Sequence, residues 1–169
     1  VLIDIDPNRA KEQVKSVSEV VREGIQDVRG SLNRLRPGAL EGRTLKDALE
    51  KMIHEYQTLS NLQVDLHYEW VDVDMDVMIE DTIFRVIQES MTNAVRHGHA
   101  SRMILHFFEN EEDYLIELQD NGVGFETLTY GYGLKQMMER ISILGGQLQF
   151  ESRDGFFTRV SLPKYKEGR

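Results

Sequence analysis

The sequence predicts an α+β fold in which helices cover a mixed, mostly antiparallel sheet, preceded by one long bundle helix. Two observations predict the sheet and its cover. From residue 60 onward, segments of alternating apolar and polar residues occur largely in consecutive pairs, as the strands of hairpins do. Between them lie stretches whose apolar residues recur at helical spacing. Such a set of elements is typical of an α+β sandwich.

The composition indicates a folded, acidic protein. Of the 169 residues, 40% are hydrophobic and 29% are charged, which are ordinary values for a globular chain. Lys and Arg total 20 against 29 Asp and Glu, and the resulting net charge of -9 opposes binding to a phosphate backbone. We therefore expect no nucleic-acid partner.

The absence of cysteine excludes disulfides and thiolate zinc sites and fits a reducing compartment. No stretch approaches the roughly 20 apolar residues that span a bilayer, and the first residues lack the basic start of a signal peptide. The chain begins without methionine and enters a helical pattern almost at once. We expect a cytoplasmic piece of a longer protein, with no membrane contact of its own and any membrane anchor upstream.

The first predicted element is a long helix that begins at Asp6-Pro7 and ends before Pro37-Gly38. Its apolar stripe is wider than a two-stranded seam, which favours a helix bundle over a helix lying on its own domain. We predict one domain at residues 1–37 and a second at residues 38–169. The residues that repeat every seven positions are Val14, Val21, Val28 and Leu35.

The second domain is predicted to open with a helix, a strand and a longer helix. Thr44 begins a capping pattern, and apolar residues at helical spacing follow it as far as Leu59. Apolar and polar residues then alternate over residues 64–70, as in a half-buried strand. Residues 76–97 have a single apolar face, and Gly98 is placed to end this helix.

Two hairpins and another helix complete the predicted domain. The strands at 102–109 and 114–120 are joined by an acidic turn. The helix, from about residue 134 to 144, is ended by a glycine pair. The last hairpin pairs residues 148–151 with residues 158–162.

One face of the longer helix carries an unusual mixture of polar side chains. Glu89, Asn93 and His97 recur every four residues, with Arg96 beside them. A carboxylate, an amide, a guanidinium and an imidazole within two turns are spaced to meet one ligand. Taken alone, however, such a face is more often a solvated surface than a site.

Two glycine-rich loops follow. Asp120-Asn121-Gly122-Val123-Gly124 leaves a strand end, where a fixed carboxylate can accept a hydrogen bond from an exocyclic amine and glycines let a flat ligand approach. Gly131-Tyr132-Gly133-Leu134 precedes a helix, whose free N–H groups favour phosphate oxygens. Each pattern also occurs in plain turns, and neither has the spacing of a P-loop or a dinucleotide fingerprint.

The order of these motifs is what carries a resemblance. Residues 88–97 resemble the N box, Asp120–Phe125 the G1 box and Gly131–Leu134 the G2 box of histidine kinases, which belong to the gyrase, Hsp90, histidine kinase and MutL ATPase superfamily. The Arg96-His97 ending, the very short lid and the run up to Pro37 resemble the branch that signals to NarL-type response regulators. The resemblance implies a Bergerat-type fold.

The resemblance also implies ligands and roles. Asn93 would ligate Mg²⁺ that bridges the phosphates of ATP, Glu89 would take part in catalysis by orienting water or the metal shell, and Asp120 would recognise the adenine amine. The other residues implied to contact the nucleotide are Arg96, His97, Gly122, Gly124, Gly131, Tyr132, Gly133, Leu134 and Thr158.

Residues 1–37 would then be the second helix of a dimerisation and phosphotransfer hairpin. The implied full protein is a homodimeric, membrane-anchored sensor that passes phosphate to a NarL-type response regulator. The family's phosphoacceptor histidine has no counterpart before Asp6, and the surroundings of His54-Glu55 do not match. The prediction is an ATP-dependent protein-histidine kinase region that lacks its phosphoacceptor.

Two alternatives remain open at this stage. One is a degenerate nucleotide-binding or partner-docking module that never transfers phosphate. The other is an ATPase or serine kinase of the same superfamily, which would share the pocket but lack the N-terminal heptads.

Overall fold

The structure is a computed structural model that describes residues 42–71 and 75–164, together with Lys11 and Leu40. Apart from Lys11, these residues belong to the second of two compact units of the chain, residues 39–169. The long helix predicted before Pro37, and the domain assigned to it, lie outside the described residues and stay predictions.

Within the described ranges, three helices and five strands occur at the places that the sequence predicts. The last helix begins two residues earlier than its apolar pattern, because the second glycine-rich motif forms its first turn. The elements are α1 Leu45–Leu59, β1 Gln63–Tyr68, α2 Val77–Arg96, β2 Arg102–Glu109, β3 Asp113–Asp120, α3 Tyr132–Ile143, β4 Gln147–Ser152 and β5 Phe156–Pro163. None of the described helices is long and apolar enough to cross a membrane.

The strands form one mixed sheet in the order β1-β2-β3-β5-β4. β1 and β2 run parallel, as the intervening helix α2 allows, and the other neighbours are antiparallel. The predicted α+β class with a mostly antiparallel sheet is therefore confirmed. In the last hairpin the second strand, β5, lies next to β3, which leaves β4 at the edge.

The hydrophobic core lies between one face of this sheet and the helices. On β2, Met103, Leu105 and Phe107 are buried, whereas the intervening Ile104 is 37% exposed. The period-two alternation thus separates a helix-covered face from an open face. The side chains of α2 that are most deeply buried in this core are Ile83, Ile87 and Met91.

Helix capping explains where the first two helices begin. The side chain of Thr44 accepts a hydrogen bond from the backbone N–H of Asp47 at 3.2 Å. Asp76 caps α2 in the same way, accepting from the N–H of Met78 at 2.7 Å. Each cap satisfies an N–H group that the helix itself leaves unpaired.

A matched pair of isoleucines tests this assignment of core and surface. Ile87→Ala should lower the free energy of unfolding by about 2–5 kcal/mol, because it leaves a cavity in the core. Ile104→Ala on the open face should cost less than about 1.5 kcal/mol, because its side chain is already partly solvated. Urea unfolding followed by the fluorescence of Trp70, the single tryptophan, measures both values. Equal losses would contradict the assignment.

Candidate functional site

The end of helix α2 carries the first group of predicted site residues. Glu89, Asn93 and Arg96 are half-buried, and the exposed His97 is the C-cap of the helix. The backbone N–H groups of His97 and Gly98 both donate to the carbonyl of Asn93, at 2.9 and 3.0 Å. Within the described ranges, the side chains of Glu89 and Asn93 form no hydrogen bond, so their oxygens are available to a ligand.

The first glycine-rich loop packs directly on this helix end. The N–H of Val123 donates to the carbonyl of Gly98 at 3.0 Å. A Cβ on Gly122 would lie 2.4 Å from the same carbonyl oxygen. Gly122 is therefore required by this close backbone approach, which brings the loop after β3 against the end of α2.

Asp120 ends β3 with its two carboxylate oxygens in different situations. Its side chain is 5% exposed, and Oδ1 accepts hydrogen bonds from the N–H groups of Gly122 at 2.8 Å and Phe156 at 3.0 Å. Oδ2 accepts none from any other residue in the described part of the chain. Every fully buried side-chain nitrogen and oxygen there has a partner, so Oδ2 must reach solvent. One oxygen fixes the carboxylate while the other can receive a donor.

The second glycine-rich motif forms the start of α3. Gly131 is the N-cap, and the first turn has neither a side-chain cap nor an acidic residue of its own. No side chain of the helix itself therefore caps these N–H groups or offsets the positive end of the helix dipole. A Cβ on Gly133 would lie 2.0 Å from Oε1 of Glu89, so this turn lies against a carboxylate from α2. Gly131 is in extended backbone with open space around it, and any residue could adopt its conformation.

The side chains of Tyr132 and Leu134, which belong to the same turn, lie in different environments. The Tyr132 side chain is 72% exposed, and its hydroxyl accepts a hydrogen bond from Nε2 of Gln136 at 2.7 Å. Leu134 packs against the core. The backbone of this turn, more than its side chains, is what it can present to a ligand.

Thr158, the last predicted site residue, is 2% exposed on the helix-covered face of β5. It pairs with Leu118 on β3 and Phe150 on β4. Since Leu118 and Asp120 are two residues apart on β3, Thr158 and Asp120 lie on the same face of the sheet.

The structure adds residues that the sequence did not single out. Gly155 lies so close to β3 that a Cβ there would be 2.0 Å from the carbonyl oxygen of Asp120. The Ser152 side chain fills the space beside Gly124, whose φ of +62° also favours glycine. Oδ1 of Asn121 accepts from the N–H of Ser101 at 2.9 Å and so ties the first loop to the segment before β2. The dipeptide Asp154-Gly155 is a turn signal in the sequence, but such a local signal does not indicate that Gly155 contacts Asp120.

Solved histidine kinase structures share this fold. The structure is similar to the Acinetobacter baumannii histidine kinase AdeS, with a TM-score of 0.62 and 18% identity over 94% of this chain and 86% of that chain. It is also similar to the ATP-binding domain of PrrB from Mycobacterium tuberculosis, with a TM-score of 0.60 and 21% identity over 71% of this chain and 93% of that chain. At such identities the likeness shows the fold alone.

Similarity in sequence assigns the chain to a family. The family model described as histidine kinase-, DNA gyrase B- and HSP90-like ATPase matches residues 78–166, more than half of the 169 residues. The chain belongs to this family, and the matched range contains all three motifs of the site.

Relatives of the chain are named sensor kinases. Sensor histidine kinase LiaS of Bacillus subtilis is 29% identical over 94% of this chain and 44% of the relative. The signal transduction histidine-protein kinase/phosphatase UhpB of Salmonella typhimurium is 33% identical over 93% of this chain and 32% of the relative. The chain thus spans less than half the length of these relatives. It is a histidine kinase-, DNA gyrase B- and HSP90-like ATPase domain, homologous to a region of these sensor kinases.

Two glycines provide a test of the backbone packing around Asp120. Gly155→Ala should lower the free energy of unfolding by about 1–3 kcal/mol, because the new Cβ meets the backbone of Asp120 and φ is +136°. Gly131→Ala, in open space with φ of -69°, should change it by less than about 0.5 kcal/mol. Thermal or urea unfolding measures both. Equal stability of the two variants would show that a side chain at position 155 does not collide with the backbone of β3.

Proposed function

We propose that this region binds Mg-ATP between the end of α2, the loop after β3 and the start of α3. It transfers the γ-phosphate to a histidine outside these 169 residues, for relay to an aspartate of a response regulator. The observation that carries the proposal is that the two carboxylate oxygens of Asp120 differ. Oδ1 is held by two backbone N–H groups, while Oδ2 is available to accept a hydrogen bond from a ligand.

ATP fits the groups that surround Asp120. A carboxylate oxygen that reaches solvent can accept a hydrogen bond from the 6-amino group of adenine, but not from the 6-oxo group that replaces it in inosine, because an oxo group has no hydrogen to donate. Gly122 and Gly124 let the loop after Asp120 pack closely on Gly98 and on Ser152, and so hold this side of the pocket in place. At the other side, the uncapped first turn of α3 offers backbone N–H groups suited to phosphate oxygens. The exposed His97 and the half-buried Arg96 are proposed to face the same phosphates.

The donors on α2 fit Mg²⁺. Asn93 and Glu89 supply an amide oxygen and a carboxylate without hydrogen-bond partners in the described residues, and Mg²⁺ prefers such hard oxygen ligands. The described ranges contain no group of three or more His, Cys, Asp or Glu side chains placed to hold a metal. A magnesium ion held by one or two side chains together with ATP phosphates needs no such group. It would neutralise phosphate charge during transfer.

The relay partner is proposed to be a NarL-type response regulator, and the full protein a homodimeric, membrane-anchored sensor whose cytoplasmic part includes this region. The Arg96-His97 ending of α2 and the short connection between Phe125 and Gly131 support this branch. Sensor kinases among the relatives support the general class.

Asp120→Asn tests the adenine contact while keeping the loop. The asparagine Oδ1 can still accept from Gly122 and Phe156, but its amide N–H₂ meets the adenine amine donor with another donor. Affinity for ATP should fall about 10- to 100-fold, and affinity for ITP, which has a 6-oxo group, should rise relative to ATP. Competition against a fluorescent ATP analogue, with and without Mg²⁺, measures both affinities.

Asp81→Asn is the matched control, because Asp81 pairs with Arg85 in the first half of α2, at 2.7 Å, whereas the loop after β3 contacts Gly98 beyond the other end of that helix. It should leave both affinities unchanged. If Asp120→Asn also bound ATP as the unchanged chain does, the site assignment would be wrong.

Transfer is tested by following the γ-phosphate itself. In the full-length protein, γ-labelled ATP should give an acid-labile, alkali-stable label on a histidine outside residues 1–169, and Asn93→Ala should abolish it by removing the metal ligand. The 169-residue chain alone should bind ATP without labelling any of its five histidines. Phosphate release without a labelled histidine would instead support an ATPase, and binding without either reaction a regulatory module.

A further inference from the structure

The loop between β3 and α3, residues 121–131, is attached to the β4–β5 hairpin where it leaves the sheet. The backbone N–H of Phe125 donates to Oγ of Ser152 at 3.1 Å. The rings of Phe125 and Phe156 lie 5.3 Å apart between centroids, within the usual range for an aromatic pair. Gly124 permits this approach, since a Cβ there would collide with Ser152 and Gly155. We call residues 125–131 the lid loop.

The far end of the lid loop rests on the same hairpin. Tyr130 lies 6.3 Å from Phe150 between ring centroids, and Phe150 lies 5.5 Å from Phe156. The four rings therefore form a continuous chain from one end of the loop to the other. We call Phe125, Phe156, Phe150 and Tyr130 the aromatic clasp.

The hairpin also holds the carboxylate at the base of the site. Phe156, whose ring is central to the clasp, donates its N–H to Oδ1 of Asp120 at 3.0 Å. Nε2 of Gln119 donates to the carbonyls of both Asp120 and Arg153, at 2.7 and 2.9 Å. One hairpin thus contacts both the residue proposed to recognise adenine and the loop beside it.

We propose that the β4–β5 hairpin is a positioning element for the nucleotide, in which the aromatic clasp holds both ends of the lid loop and so slows ATP release. Phe156 is the shared residue, because its backbone orients Asp120 and its ring joins both halves of the clasp. A loop tied at both ends loses less conformational entropy when a ligand is bound beneath it than a loop free to move. This inference rests on the proposed nucleotide site.

Leucine and tyrosine substitutions distinguish the effect of the aromatic rings from the effect of side-chain size. Phe156→Leu and Phe150→Leu remove ring contacts and keep an apolar side chain, whereas Phe156→Tyr keeps the ring. Phe108→Leu is the matched control, because the half-buried ring of Phe108 contacts His106 instead of the lid loop, with 4.6 Å between centroids. Thermal unfolding is recorded for every variant, so that a general loss of stability is recognised.

Two measurements are made on each variant. Because the chain has no cysteine, Thr127→Cys provides a single attachment point for a spin label at the exposed middle of the lid loop. Its spectrum reports loop mobility in the nucleotide-free protein. Stopped-flow displacement of a fluorescent ATP analogue, in the presence of Mg²⁺, gives the dissociation rate.

The leucine variants should make the spin label more mobile and raise the dissociation rate about two- to tenfold, the factor expected for one lost aromatic contact. Phe156→Tyr and Phe108→Leu should behave as the parent does in both measurements. An unchanged spectrum in the leucine variants overturns the clasp, and a mobile loop with an unchanged dissociation rate overturns its positioning role. Failure of the parent to bind nucleotide would overturn the proposed function, while the spectra would still test the clasp.

Discussion

The site depends on the way in which the backbone holds Asp120. A carboxylate that ends a buried strand is costly to desolvate unless its oxygens are paired. Two N–H groups from different elements, those of Gly122 and Phe156, pair with one oxygen. This arrangement fixes the direction of the other oxygen and joins the loop after β3 to the β4–β5 hairpin. The remaining contacts of the site are built around this junction.

Charge poses a separate problem for a domain of this kind. The chain carries a net charge of -9, yet ATP is itself a polyanion, so the overall field does not attract the ligand. Local groups must supply the attraction. The uncapped start of α3 is one such group, although the carboxylate of Glu89 lies against its Gly133. A proposed magnesium ion would offset both that carboxylate and the phosphates.

Sheet order places these groups together. Because β5 lies between β3 and β4, the turn between β4 and β5 lies beside the end of β3, where the first glycine-rich loop begins. Helix α2 ends beside the same loop through the contact of Gly98 with Gly122. The aromatic clasp then connects the loop back to the hairpin. Three sequence-distant segments therefore support one another at one end of the sheet.

The sequence by itself determined the helices and strands of residues 45–163 and the order of the motifs among them, because periodicity, caps and glycine stops act over a few residues. The end of α2 is an example, because the helix stops at Arg96, with His97 as its C-cap, immediately before Gly98. Alternation also indicates which strand residues face the core, but it does not indicate which strand is the neighbour. Only the tertiary structure placed β5 beside β3, and with it Gly155 and Phe156 against Asp120, because such pairing is decided by long-range contacts that no local pattern encodes.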